Sequence, residues 1–173
     1  MAGAKLFSAV RGATALALCA ATAAVWAQGG LKDGGDCGGF SAQDAAAWLK
    51  LPPEKVKRSI AKSGPRLWLC SYVSGGSVPA IAFSIELAQD AKTAAAAMER
   101  YRDDLMVAGE TAPFKDRLPK GAYSDISGVG DEGVWTDING AYTVRKGHVT
   151  VQFTLPREKL AQVQLAKVVL GKL

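Results

Sequence analysis

One histidine, three cysteines and a short glycine-rich acidic loop hold most of the residues whose chemistry could be catalytic. His148 is the only side chain able to serve as the base of a Ser-His-Asp or Cys-His triad. It follows the Lys146-Gly147 turn, an exposed place with little to fix a tautomer, so a surface role is expected. No Gly-x-Ser-x-Gly elbow is present. Gly128-Val129-Gly130-Asp131-Glu132 has the look of a phosphate-cradling loop. It lacks a following Gly-Lys-Ser/Thr and leads into a strand pattern, so its glycines read as turn punctuation. Asp131 and Glu132 could contact a divalent cation, but a hard cation wants about six oxygens. The alternative is a turn whose carboxylate accepts backbone N–H bonds. No catalytic residue, metal site or cofactor is expected.

Two groups of residues are suited to binding. Trp135 follows the glycine loop and Tyr142 stands on the facing arm of the Asn139-Gly140 hairpin. Together they form a candidate aromatic binding surface, with core packing as the other reading of Trp135. Trp48 and Trp68 are expected in the core beside a disulfide. Lys55, Lys57, Arg58, Lys62 and Arg66 form a basic stretch. It could meet anionic lipid headgroups, cell-wall polymers or an acidic partner, or be a solvated face.

The first segment reads as an address. Lys5 and Arg11 supply a positive start, residues 13–24 a short Ala/Leu-rich run, and Val25-Trp26-Ala27 a cleavage site after Ala27. Residues 1–27 are therefore a secretory signal peptide by this reading. An uncleaved anchor is one alternative. A lipoprotein signal at Leu16-Ala17-Leu18-Cys19, anchoring the chain at Cys19, is another, though Leu18 is bulky where such signals carry small residues. No strongly apolar run of membrane-spanning length follows, which excludes a polytopic membrane protein.

Removing residues 1–27 takes two positive charges and no acid, lowering the formal net charge from +5 to +3. That mild excess and the exported setting argue against nucleic acid as a partner and allow weak contact with anionic surfaces. Cys19 leaves with the signal, so Cys37 and Cys70 remain in an oxidising compartment and are expected to form a disulfide. At 49% hydrophobic and 21% charged, the whole chain has the composition of a folding sequence. The expected organisation is a glycine-rich leader over 28–36 and one domain over 37–173.

The pattern supplies the elements that must position these groups. Ser41 with Asp44 reads as a capping box opening a helix that Pro52-Pro53 stops. Residues 54–62 fit either a short helix or an edge strand. Residues 67–73 alternate with apolar side chains on both faces, so both faces are expected to be covered. Residues 79–87 form the next strand, with Ile81, Phe83, Ile85 and Leu87 inward. Asp90 caps a helix over 91–108, closed by Gly109 at its C-terminal cap. A connection over 110–122 leads to a short strand at 123–126. Strands over 134–137, 141–145 and 148–155 follow, joined at Asn139-Gly140 and Lys146-Gly147. Thr150, Gln152 and Thr154 make one side of the last strand at least partly solvated. Pro156 is expected at the first position of a final helix over 157–170, burying Leu160, Val163, Ala166, Val168 and Leu170 in part. Consecutive hairpins separated by helices make this an α+β fold, a mostly antiparallel sheet with about three packing helices.

The order of these motifs resembles a group of bacterial envelope proteins and lipoproteins of unknown function, common in actinobacteria. The shared features are Cys37 before the first helix, Cys70-Ser71-Tyr72 in a strand, the Gly128–Glu132 turn and Lys146-Gly147, followed by a C-terminal helix. The resemblance covers about residues 37–173. It implies a PsbP-like α/β/α sandwich, the fold of photosystem extrinsic subunits, and a small accessory or sensor-like envelope domain. It implies no catalytic residues. The signal here reads as simple cleavage rather than lipidation, a departure from the lipoprotein members.

The functional expectation is a secreted, periplasmic or cell-envelope domain without enzymatic activity. It would bind an envelope protein partner or a small ligand through the Trp135/Tyr142 surface or through Lys55, Lys57 and Arg58. A structural subunit of an envelope complex and an unrecognised hydrolase are the alternatives.

Overall fold

The computed structural model describes residues 37–111 and 122–173. The signal, the leader and most of the connection after the long helix lie outside the described residues. Helix α1 (Ala42–Leu49) and a 3-10 turn (Pro53–Lys55) precede three strands, β1 (Val56–Lys62), β2 (Leu67–Ser74) and β3 (Pro79–Leu87). Helix α2 (Ala91–Thr111) leads to β4 (Tyr123–Asp125), β5 (Glu132–Thr136), β6 (Ala141–Lys146) and β7 (Val149–Leu155), and α3 (Lys159–Leu170) ends the chain. All seven strands pair antiparallel in the order β1-β2-β3-β7-β6-β5-β4. The fold is α+β: two meanders, β1–β3 and β4–β7, meet where β3 pairs with β7.

The expected capping box is present. The Ser41 hydroxyl accepts the Asp44 N–H, and the Asp44 carboxylate accepts the Ser41 N–H at 2.8 Å. Residues 54–62 resolve into the 3-10 turn and the edge strand β1, because the seven residues after Lys55 find a complete ladder on β2. Strand alternation then sorts the core. Trp68, Cys70 and Tyr72 of β2, Ile81, Phe83 and Ile85 of β3, and Val151 and Phe153 of β7 point to one face. There they meet Phe40, Ala45 and Ala46 around α1 and Leu165, Ala166 and Val169 of α3. The opposite face meets α2 through Met98, Leu105 and Val134.

The disulfide joins Cys37 to Cys70, with Cα atoms 5.9 Å apart, and ties the start of α1 to the middle of β2. The same junction is held by Tyr72, whose hydroxyl donates to the Phe40 carbonyl and whose ring stands edge-on to Phe40 at 5.2 Å. Trp68 is buried in this cluster and Trp48 packs against it. Lys172 closes the layer from the other terminus, 3.0 Å from Asp44.

Four expectations are corrected. Gly109 does not end α2, which continues to Thr111. A Cβ at Gly109 would come within 2.5 Å of the Ala122 Cβ, so glycine is there for the close approach of the helix to the residue just before β4. Pro156 does not open α3, whose first residue is Lys159. The buried stripe of α3 is Gln162, Leu165, Ala166, Val169 and Leu170, while Leu160 and Val168 are 69% and 41% exposed. A buried glutamine sets that rotation, because the Gln162 amide donates to the carbonyls of Gly140 and Pro156. Finally, β2 is not covered on both faces by the described residues. Leu69 is 46% exposed, because α2 crosses the sheet nearer β4, β6 and β7.

The crosslink closes 33 positions of sequence separation. Chain-entropy reasoning for such a loop gives roughly 3–4 kcal/mol. Urea unfolding of the oxidised and dithiothreitol-reduced protein should therefore differ by about that amount, with no change in signal from α2. Equal midpoints would show that the bridge contributes nothing.

Candidate functional site

The sheet face beneath α2 carries a concavity. Alternation places Ser84 and Glu86 of β3, Thr143 of β6, and Thr150 and Gln152 of β7 on this face. The first turns of α2 stand over them, held by Asp90, which accepts the Thr93 N–H at 2.7 Å. Between helix and sheet lies a groove of about 540 Å³, walled by Ala94, Ala97, Met98 and Tyr101 and floored by the strand residues. Gln152 closes its inner end, donating to the Tyr101 hydroxyl at 3.3 Å and to Thr143 Oγ1 at 3.2 Å. Arg66, Glu86 and Arg100 are its exposed charged members.

The groove continues as a shallower depression of about 270 Å³ across the uncovered part of the sheet. Ser59, Ala61, Leu69 and Ser71 line it, and Ser84 and Gln152 belong to both spaces. The walls supply methyl and thioether surface, and the floor supplies hydroxyl and amide groups. That combination suits a small molecule with an apolar body and a hydrogen-bonding edge.

A charge network fixes α2 as one wall. Arg102 of α2 reaches Asp125 of β4 at 3.1 Å and Glu132 of β5 at 2.9 Å. Arg145 of β6 bonds the same Glu132 at 2.6 Å and Asp131 at 2.9 Å. Burial by itself would raise the Glu132 carboxyl, but hydrogen bonds from Arg145 and Arg102 hold it below its ordinary value. The network consumes the acids considered above for a cation. Asp131 also accepts the Gly147 N–H at 2.7 Å, the capped-turn arrangement named as the alternative. Gly130 has a positive φ of 65°, and a Cβ there would strike the Arg145 carbonyl, so this loop is shaped by its contact with β6.

The structure separates the residues proposed for binding. Trp135 is 6% exposed and Tyr142 0%, both in the cluster under α3, so they do not form an open aromatic surface. Period-two alternation turns both rings to the face that α3 covers. Trp135 donates its indole N–H to Asp137 at 2.7 Å, with Lys159 Nζ 5.8 Å from the ring centre. The Tyr142 hydroxyl has no hydrogen-bond partner among the described residues, and burial pushes its pKa up to about 12. It occupies the space left by Gly133, where a Cβ would lie 2.5 Å from it. Lys55, Lys57 and Arg58 are all exposed, but Lys57 and Arg58 project to opposite faces of β1. His148 is exposed in the turn between β6 and β7, and its carbonyl accepts the Ala88 N–H.

The sequence did not bring the groove residues together as a site. Their signal was the polar alternation Thr150, Gln152, Thr154, read there only as a solvated side. What was missing was a helix partly covering that side.

Because the Glu132 carboxyl is held low, the stability it contributes is present above its ordinary pKa of 4.5 and is lost as pH falls through the lower folded value. Glu132→Gln should therefore be less stable than the parent at pH 7 and much closer to it at pH 3. Urea unfolding at the two pH values measures this. An equal gap at both would mean the ionised form is not what holds α2.

No protein-family model, curated protein or solved structure matches the chain.

Proposed function

We propose that this chain is an exported domain of the bacterial cell envelope or its surroundings. It holds a small amphipathic molecule in the groove beneath α2 and acts by binding rather than by catalysis. The groove carries this reading: about 540 Å³ of space between a methyl-lined helix and a hydroxyl-lined sheet. Arg66 and Arg100 are paired with no acid among the described residues, and they favour an anionic headgroup at the exposed side. The buried Cys37–Cys70 bridge supports an oxidising compartment. The motif order, which resembles that of exported envelope proteins, is in keeping with the same assignment.

Octanoate has the required apolar tail and carboxylate. Titrated into the purified protein in the millimolar range, it should shift the amide resonances of Ser84, Ala97 and Gln152. Ala97→Trp fills the groove from an exposed position and should abolish those shifts while leaving the rest of the spectrum in place. Shifts confined to other residues, or unaffected by Ala97→Trp, would overturn the assignment of the site. Export has its own test. N-terminal sequencing of protein from the native host should begin at Gln28, and recovery of Met1 would overturn it.

A further inference from the structure

Among the described residues strand β1 is an open edge, the outermost member of the sheet. It pairs with β2 from Val56 to Lys62 without a register shift. Just beyond it, the Ser63 N–H donates to the Leu67 carbonyl at 2.8 Å. Antiparallel alternation then directs the amides of Lys57, Ser59 and Ala61 toward β2, and those of Arg58, Ile60 and Lys62 outward. Straight, unbulged edges with outward amides are templates for another strand.

This edge also concentrates the positive charge. Residues 54–66 carry five basic side chains and one acid, a net of +4. Without residues 1–27 the whole chain carries +3, so everything else is slightly negative. The charges lie on both faces of the edge: Lys57 on the α2 side, Arg58 and Lys62 on the disulfide side, all exposed. A flat anionic surface laid on either face meets only part of this set. A strand added in the plane of the sheet meets all of it through cross-strand neighbours. A second copy of β1 would bring the same sign and be repelled.

We propose that β1 is a docking edge for an acidic, extended segment of a partner protein, which adds to the seven-stranded sheet as a further antiparallel or parallel strand. The outward amides and carbonyls of Arg58, Ile60 and Lys62 supply the ladder. Lys55, Lys57, Arg58 and Lys62 select for carboxylates at both odd and even positions of the segment. The outward ladder of β1 is distinct from the groove under α2, although Ser59 and Ala61 of the same strand line the groove's shallower continuation, and it stands whether or not the groove binds a small molecule.

The test uses the purified protein and a labelled eight-residue peptide of Glu, Val and Thr with acids at both odd and even positions. Fluorescence anisotropy should show binding at low salt that weakens steeply toward physiological ionic strength. The same peptide methylated on its successive amides keeps its charge but cannot join a ladder. It should bind at least about tenfold more weakly. Arg58→Ala removes a charge, whereas Arg58→Pro removes the charge and an outward amide, so the proline variant should lose clearly more affinity. If Arg58→Pro unfolds, the methylated peptide on the unaltered protein decides alone. Equal binding of the two peptides, or binding to phosphatidylglycerol vesicles but not to the peptide, would overturn strand addition.

Discussion

The ladder between β3 and β7 is the interaction on which the rest of the molecule depends. The chain builds one meander before α2 and another after it, and these two strands make them one sheet. The pairing runs from Leu87–Val149 to Ala82–Leu155, with one irregularity beside Phe83. It brings Phe83 within 5.4 Å of Phe153, and Phe153 in turn lies 6.3 Å from Tyr142. Tyr72 stacks on Phe83 from the other side. A row of rings therefore crosses the junction, and aromatic pairs at such distances add to the area they bury. Because these contacts are far apart in sequence, their closure cost must be met by burial rather than by local propensity.

That central ladder gives the sheet two unequal faces. One carries the ring row, the disulfide and two helices, with Gln162 of α3 buried among apolar side chains. Among the described residues the other is crossed by α2 alone, and hydroxyl and amide groups floor the space beneath the helix. The difference follows from where polar residues fall in the alternation of β3 and β7. Ser84 and Gln152 are flanked in sequence by Phe83, Ile85, Val151 and Phe153, and the pleat sends the two sets apart. The arginine–carboxylate network at the far end then fixes the distance between α2 and the sheet.

Much of the framework was legible in local patterns. Ser41 with Asp44 marked the start of α1, Asn139-Gly140 marked a hairpin, and alternation at Ile81, Phe83 and Ile85 marked the inward face of β3. Each is a short-range rule with its partner a few residues away. Cys37 and Cys70 were legible because only two cysteines follow the leader. The misreadings have a common origin in long-range packing. Gly109 looked like a helix cap until Ala122 was seen against it. Trp135 and Tyr142 stood as candidates for a binding surface, with core packing as the other reading of Trp135, and the placement of α3 over the hairpin decided for the core. Leu160 and Val168 looked like the buried stripe of α3 because a buried glutamine cannot be told from a solvated one by composition.

By itself the sequence determined most of the element types, the turn positions, the crosslink and the antiparallel class, since these rest on backbone geometry and near neighbours; residues 54–62 it left open between helix and edge strand. Only the tertiary structure decided which side of each strand would be covered and how far α2 would stand from the sheet. It also decided that the basic stretch would become an outer edge with charges on both of its faces. The physical reason is that a strand's two faces are chemically sorted by the chain but assigned to helix or solvent by contacts made a hundred residues away, about the span separating α1 from α3.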